Sequence, residues 1–176
     1  SKIAMFSKII QKTKNVDNVF EIGANIGLNL NAISYLLPSA KLHGIEINEK
    51  AFEELAKIKN ITSYKGSILE FNNDLKVDFV FSCTVLIHIN PEFLNFVYDK
   101  MAQMTSRYVL MAEYYNPVPV EVNYRGNNDC LFKRDFAGEF LERHRNFRLI
   151  DYSFVYHNDN VFRGDDITWF LMERLN

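Results

Sequence analysis

Residues 19–29 read VFEIGANIGLN, a short apolar run with one acid, followed by two glycines four positions apart. The segment NVFEI at 18–22 has the composition of a buried strand, and from Gly27 apolar residues recur at helical spacing until Pro38. Glycines between a strand and a helix predict a tight turn. In an open parallel sheet, the strand end that carries such a turn is where ligands bind.

Strand-like and helix-like segments alternate over the first two-thirds of the chain. Further strands are predicted at 41–47, 61–66, 77–83, 107–115, 147–157 and 167–175. Amphipathic helices are predicted at 3–12, 48–60, 90–104 and 133–144, with Asn48 and Asn90 as caps of the second and third. The pattern predicts an α/β fold, a Rossmann-like, doubly wound, mostly parallel sheet with helices on both faces, whose last two strands pair antiparallel.

No repeat, low-complexity segment or linker divides the 176 residues, so we expect a single domain over 1–176. The stretch 116–131 is longer than an ordinary connection between secondary-structure elements. Loops of that length are usually functional. We therefore expect a binding loop over 114–135.

Composition argues against several classes of partner. The net charge of −2 gives no general attraction for nucleic acid, although a local basic patch stays open. No apolar run reaches the ~18 residues that a membrane span needs. Cys83 and Cys130 lack metal-type spacing and favour a reducing compartment. With no signal peptide visible, we expect a cytoplasmic protein without a nucleic-acid or membrane partner.

The glycine-containing turn departs from the dinucleotide fingerprint, in which a second glycine lets the backbone approach a pyrophosphate. Asn25 occupies that position here and Leu28 occupies the third glycine position, which disfavours a close pyrophosphate. The turn instead suits S-adenosylmethionine, which has a ribose, an amino acid end and a sulfonium cation but no phosphate. We expect Glu21 to offset positive charge on this ligand, directly or through water.

Two further strand ends offer contacts to the same ligand. Glu46 follows the glycines by about twenty residues, where nucleoside-binding sheets place a carboxylate that accepts both ribose hydroxyls. Ser67 follows the third strand and is placed to meet the adenine edge. The predicted cofactor-binding residues are Glu21, Gly23, Asn25, Gly27, Asn29, Glu46, Ile47, Gly66, Ser67, Ile68 and Thr84.

At these residues the chain resembles the class I S-adenosylmethionine-dependent methyltransferases. Three later stretches narrow the resemblance to the bacterial pseudaminic acid biosynthesis-associated methylases: VLIHINPE (85–92), EYYNPVPVEVNYRGNNDCLFKRDFAGEF (113–140) and DYSFVYHNDNVFRGDDITWFLMER (151–174). The resemblance implies a seven-stranded sheet with a reversed final hairpin. It also implies S-adenosylmethionine as methyl donor, S-adenosylhomocysteine as product and a role in making surface glycans. The acid- and aromatic-rich segment usual upstream in that family is not found, and SCT at 82–84 departs from its pattern.

Two residues are candidate catalytic groups. A hydroxyl acceptor needs a base to remove its proton during methyl transfer. His88 follows the fourth strand, and histidine is the side chain whose ordinary pKa lies near neutrality, so His88 is a candidate base. Alternatively, HINP only joins strand to helix. Glu113 ends the fifth strand and is the second candidate, as base or substrate ligand, or it is a solvated strand end.

Residues of the long loop are candidates for binding the acceptor. Aromatic rings there can stack on a sugar and Asn116 can bond its hydroxyls, or these residues form a packed corner before Pro117. The basic side chains beside this loop suit a carboxylate or phosphate on the acceptor, because arginine binds either group in bidentate fashion. Alternatively, they lie at a solvated helix start with Asp135 in its first turn. The predicted substrate-binding residues are Tyr114, Tyr115, Asn116, Tyr124, Arg125, Lys133, Arg134 and His157.

His157, Asp165 and Asp166 precede the last strand, but no second His or Cys completes a metal site, so no metal is predicted. The sequence thus favours a methyltransferase that uses S-adenosylmethionine on a small acceptor, with a sugar or nucleotide-sugar of pseudaminic acid-type glycan biosynthesis as the best match. The alternatives are a methyltransferase with a non-sugar acceptor and a non-catalytic module that holds the cofactor. The choice between O- and N-methylation and the oligomeric state stay open.

Overall fold

The structure is a computed structural model that describes residues 1–121 and 131–175. Its main sheet contains seven strands: β1 (Asn18–Ile22), β2 (Lys41–Glu46), β3 (Ile61–Lys65), β4 (Val77–Cys83), β5 (Thr105–Glu113), β8 (Phe147–Val155) and β9 (Ile167–Arg174). The helices of the described residues are α1 (Lys2–Ile10), α2 (Leu28–Leu36), α3 (Glu49–Leu55), α4 (Pro91–Met104) and α5 (Phe136–Arg143). A 3₁₀ turn covers Leu86–His88, and a separate two-stranded pair joins β6 (Val120–Glu121) to β7 (Phe132–Lys133).

The strand order of the main sheet is β3-β2-β1-β4-β5-β9-β8. Strands β1 to β5 pair in parallel, whereas β9 runs antiparallel to both β5 and β8. The predicted doubly wound sheet with a final antiparallel pair is therefore confirmed. The order reverses between β1 and β4, which is where ligand crevices open in sheets of this kind.

Apolar layers cover both faces of the sheet. Phe20, Val80 and Met111 pack on the side of α4 and α5, whereas Val19 and Leu110 pack on the side of α1 and α2. Successive strand residues point to opposite faces, so each central strand must be apolar at nearly every position. This double burial explains the almost unbroken apolar runs that the sequence shows.

Side-chain caps begin three of the helices. The side chain of Asn48 accepts a hydrogen bond from the backbone N–H of Ala51, and that of Asn90 accepts one from Glu92. Both predicted caps are confirmed. Asp135 caps α5 by accepting from the N–H of Gly138 at 2.8 Å, so it lies just before the helix and not in its first turn.

The connection between β3 and β4 contains no helix among residues 66–76, which interrupts the alternation expected from the sequence. Ile68 is buried there, and Leu69, Phe71 and Leu75 pack against the core from this irregular segment. The polar run at 72–74 disfavours a helix. Apolar side chains of a loop therefore cover this part of the sheet.

None of the helices in the described ranges 1–121 and 131–175 has the length and hydrophobicity that a membrane span requires.

Close packing beside the first two strands requires a glycine at position 44. A Cβ on Gly44 would lie 2.7 Å from Ala24 Cβ and 2.8 Å from Leu30 Cδ1. We expect Gly44→Ala to lower the free energy of unfolding by about 1–3 kcal/mol, because this site is overpacked by even one methyl group. Urea denaturation measures the change, with Lys41→Ala on the exposed start of β2 as control. An unchanged midpoint for Gly44→Ala would contradict the close approach.

Candidate functional site

The carboxyl ends of β1, β2 and β4 surround a cavity of about 670 Å³. A second cavity of about 280 Å³ adjoins it at the ends of β2 and β3. Four residues line both cavities: Gly23, Ile47, Val85 and His88. The two cavities therefore form one continuous space, hereafter the strand-end crevice, at the point where the strand order reverses.

Left-handed backbone shapes the turn between β1 and α2. Gly23, Asn25 and Gly27 have φ values of 66°, 49° and 83°. A Cβ on Gly23 would lie 2.5 Å from a methyl group of Val85, so the turn and the loop after β4 approach closely there. Gly23 and Asn25 line the crevice. Gly27 does not line the crevice. Close packing favours glycine at this position, because a Cβ would lie 2.6 Å from Ile58 Cδ1.

The carboxylate of Glu46 joins the first two strand ends. One oxygen accepts the backbone N–H of Asn25 at 2.8 Å, and the other accepts the N–H of Asn48 at 2.7 Å. Glu46 is 8% exposed and lines the larger cavity. Each carboxylate oxygen can accept more than one hydrogen bond. The group therefore keeps acceptor capacity on its cavity side.

A chain of polar contacts runs from the core to the crevice. Asn29 donates from Nδ2 to Glu21 Oε1 at 2.6 Å, and Lys2 Nζ donates to Asn29 Oδ1 at 2.7 Å. Glu21 is fully buried, and this burial raises its pKa to about 8. Asn29 and Lys2 line the larger cavity, whereas Glu21 does not. Glu21 therefore contacts the crevice residue Asn29 and does not itself line the crevice. Its role in offsetting charge on the ligand, directly or through water, stays a prediction.

The smaller cavity has mostly apolar walls. Ile22, Ile45 and Ile68 line it together with Gly66 and Ser67. Gly66 has a φ of 142°, a backbone conformation that favours glycine. The space that a Cβ would occupy there is open, with nothing packed within 4 Å of it. Such a slot suits a flat, largely apolar group.

Thr84 and His88 lie on the loop that follows β4, at the wall of the larger cavity. The φ of Thr84 is 57°, a strained value for a β-branched residue. Its N–H donates to the carbonyl of Ala112, and its hydroxyl donates to the carbonyl of Cys83. His88 ends the 3₁₀ turn with an exposed ring that lines both cavities. The structure thus places both predicted residues in the crevice.

Glu113 lies outside the crevice. Its Oε1 accepts the backbone N–H groups of Val85 and Leu86, each at 3.2 Å, and its Oε2 is buried without a hydrogen-bond partner among the described residues. Burial raises its pKa to about 7. The alternative of a solvated strand end is wrong, because the residue is 3% exposed. The carboxylate holds the loop that carries His88, and its assignment as base or substrate ligand stays a prediction.

The predicted acceptor residues near β5 form a packed corner beside the crevice. The ring of Tyr115 packs on Phe170, with centroids 5.5 Å apart, and Lys133 Nζ lies 5.2 Å from the centroid of the Tyr114 ring. Arg134 pairs with Glu139 at 2.6 Å. These side chains do not line either cavity of the crevice.

Of the three further predicted substrate residues, the structure describes one. Asn116 Nδ2 donates to the carbonyl of Val118 at 2.6 Å within its own loop. Tyr124 and Arg125 lie outside the described residues. Their assignment to substrate binding stays a prediction.

His157 lies in the hairpin between β8 and β9, half exposed, with Nδ1 2.7 Å from Asp166 Oδ2. It does not line the crevice, so its contact with an acceptor stays a prediction. Within residues 1–121 and 131–175, no group of three or more His, Cys, Asp and Glu side chains is arranged to hold a metal ion.

Nine of the eleven residues predicted to bind the cofactor line the crevice: Gly23, Asn25, Asn29, Glu46, Ile47, Gly66, Ser67, Ile68 and Thr84. Sequence reasoning missed Lys2 and Val85, which also line it. Val85 directly follows the predicted Thr84 and could have been included. Lys2 carried no such signal, because only the packing of α1 beside α2 brings it to the crevice.

Solved structures similar to this chain include methyltransferases and a domain with S-adenosylhomocysteine bound. The glycopeptide N-methyltransferase MtfA complexed with S-adenosylmethionine has a TM-score of 0.71 and 11% identity, over 100% of this chain and 95% of that chain. The N-terminal domain of EvdMO1 with S-adenosylhomocysteine bound has a TM-score of 0.69 and 12% identity, over 100% and 82%. An S-adenosylmethionine-dependent methyltransferase from Clostridium acetobutylicum has a TM-score of 0.70 and 10% identity, over 99% and 91%.

No protein-family model matches the sequence, and comparison with curated proteins finds no match either. The chain has the class I methyltransferase fold. The narrower resemblance to the pseudaminic acid-associated methylases stays a prediction.

The buried carboxyl of Glu113 makes stability fall as pH rises. Its pKa is about 7 in the folded protein against an ordinary 4.5, so the folded state holds a proton that the unfolded chain loses between these values. Glu113→Gln cannot ionise at this position. We therefore expect the unfolding free energy of Glu113→Gln minus that of the native chain to increase by roughly 2–3 kcal/mol as the pH is raised from 4 to 8.

Denaturant unfolding at several pH values measures this difference. Glu70→Gln, at an exposed position in the β3–β4 connection, is the control and should parallel the native chain. Parallel pH profiles for Glu113→Gln and the native chain would show that Glu113 titrates normally.

Proposed function

We propose that this chain is an S-adenosylmethionine-dependent methyltransferase that acts on a small acceptor. The observation that carries the proposal is the strand-end crevice, in which a polar cavity at Glu46 continues into an apolar slot at Gly66 and Ile68. The two parts match a ribose with its charged extension and a planar base. A polar cavity next to an apolar slot is what a nucleoside with a charged side arm requires.

The residues present fit this cofactor. Adenine would be held by the apolar slot, and the cavity side of Glu46 would accept hydrogen bonds from the ribose hydroxyls. Ile47 is 70% exposed and lines both cavities, so its side chain is covered when a base lies in the slot. The left-handed turn at Gly23 and Asn25 lets the backbone run along the ligand. Among the structural neighbours, MtfA was solved with S-adenosylmethionine and EvdMO1 with S-adenosylhomocysteine, which supports the assignment.

The protein contributes mainly alignment to the reaction. When bound, S-adenosylmethionine supplies a methyl group on a good, neutral leaving group. Thr84 and Val85 form the wall against which an acceptor lies, and alignment of two reactants in this way is worth ~7–11 kcal/mol. His88, at the mouth of both cavities, accepts the proton of a hydroxyl acceptor, a contribution of ~10²–10⁴ in rate.

The acceptor is proposed to be a sugar or nucleotide-sugar in surface-glycan biosynthesis of the pseudaminic acid type. The sequence resemblance supports this class, and a glycopeptide methyltransferase among the neighbours is consistent with a sugar-related acceptor. Tyr114 and Tyr115 directly follow β5 and offer aromatic rings on which a sugar can stack. Turnover assays with nucleotide-sugars, free sugars and amines discriminate this class from a non-sugar acceptor. Binding of the cofactor without turnover of any acceptor would favour a non-catalytic module.

Loss of the ribose contact should weaken cofactor binding. We expect Glu46→Gln to reduce the affinity for S-adenosylhomocysteine roughly ten- to hundredfold, because hydrogen bonds to a charged group are replaced by weaker ones. Isothermal titration calorimetry measures the affinity. Glu49→Gln is the matched control, since Glu49 pairs with Lys65 on the surface and does not line the crevice.

If the native chain binds neither S-adenosylmethionine nor S-adenosylhomocysteine, the proposed function is wrong. If the native chain binds and Glu46→Gln binds equally well, only the ribose assignment is wrong.

Removal of the candidate base should separate binding from turnover. We expect His88→Ala to change cofactor affinity by less than about threefold and to slow methylation of a hydroxyl acceptor ~10²–10⁴-fold. The control is His144→Ala, since His144 lies beside Asp99 and away from the crevice. Calorimetry and single-turnover rates measure the two effects. A large loss of cofactor affinity with little change in rate would make His88 a cofactor contact.

A further inference from the structure

We propose that Lys2 binds the carboxylate at the amino acid end of S-adenosylmethionine. The inference rests on the proposed function and assigns to the same site a residue that the sequence pattern did not single out. Lys2 begins α1, far in sequence from the other lining residues, and its ammonium reaches Asn29 at the wall of the larger cavity.

The direction of the ligand follows from the two cavities. The smaller cavity, at Gly66 and Ser67, takes the base, and Glu46 takes the ribose beside the residues that both cavities share. The amino acid end then extends into the part of the larger cavity that is not shared. Lys2, Leu28 and Asn29 line that part, and none of them lines the smaller cavity, which contains Gly66.

The charge at that end is suited to a carboxylate. Among the described residues, Lys2 is the one lysine or arginine that lines the larger cavity. An ammonium has three N–H donors, and one of them is used by Asn29 Oδ1 at 2.7 Å. The remaining donors can form charge-assisted hydrogen bonds with a ligand carboxylate.

The hydrogen bond to Asn29 also holds the Lys2 side chain in position. Asn29 is held by Glu21 on its other side, so its Oδ1 is fixed towards Lys2. Helix α1 is anchored beside α2 through buried Met5, Phe6 and Ile9. A long, flexible lysine side chain is thereby directed into the crevice before the ligand arrives, which lowers the entropic cost of binding.

A pair of ligands tests the assignment. S-adenosylhomocysteine has the amino acid end, and 5′-methylthioadenosine has the same adenosine and thioether without it. We expect Lys2→Ala to weaken the affinity for S-adenosylhomocysteine roughly ten- to hundredfold and that for methylthioadenosine by less than about twofold. Lys2→Arg should keep most of the affinity for S-adenosylhomocysteine, because guanidinium also binds carboxylates. Calorimetry on the purified native chain and the two variants measures these affinities.

Lys8→Ala is the matched control. Lys8 lies on the same helix and lines a different cavity, beside Tyr156 and Asp159, so both affinities should match those of the native chain. Unchanged binding of S-adenosylhomocysteine by Lys2→Ala would overturn the proposal. An equal loss for both ligands would also overturn it, since Lys2 would then support the crevice as a whole and not the amino acid end of the ligand. Failure of the native chain to bind either ligand would instead refute the proposed function, and the assignment with it.

Discussion

The site depends on one carboxylate that joins two strand ends. The side chain of Glu46 accepts backbone N–H groups from Asn25 after β1 and from Asn48 after β2, so the two turns that form the floor of the crevice cannot move independently. Hydrogen bonds to a buried charged group are among the strong ones in a protein. The left-handed turn, the start of α2 and the start of α3 are therefore placed relative to one another before any ligand binds.

Much of the fold was predictable because the spacing of apolar residues along the sequence indicates which faces of a helix or strand are buried. The runs at 18–22 and 77–83 are apolar at nearly every position because both faces of these strands are covered, and the predicted bounds match β1 and β4. The caps at Asn48 and Asn90 depend on neighbouring residues alone, so local sequence sufficed. The irregular β3–β4 connection did not follow the alternation, because its apolar residues pack against the sheet without forming a helix.

Position at a strand end predicts which residues line the crevice, whereas their roles in binding stay predictions. Glu46, Gly66 and Ser67 line the crevice because the carboxyl ends of parallel strands share one edge of the sheet. Glu113 also ends a strand, yet its side chain points to the loop after β4. Only tertiary packing decides that direction. The same holds for Lys2, which reaches the crevice from another helix.

The reversed direction of β9 has a consequence for diversity among proteins of this fold. Because β9 runs against its neighbours, the hairpin between β8 and β9 lies at the same edge as the crevice, together with the loop after β5. The described residues of these two segments line neither cavity of the crevice. If the chain is the methyltransferase proposed above, substitutions in these segments can change the acceptor without altering any residue that lines the crevice.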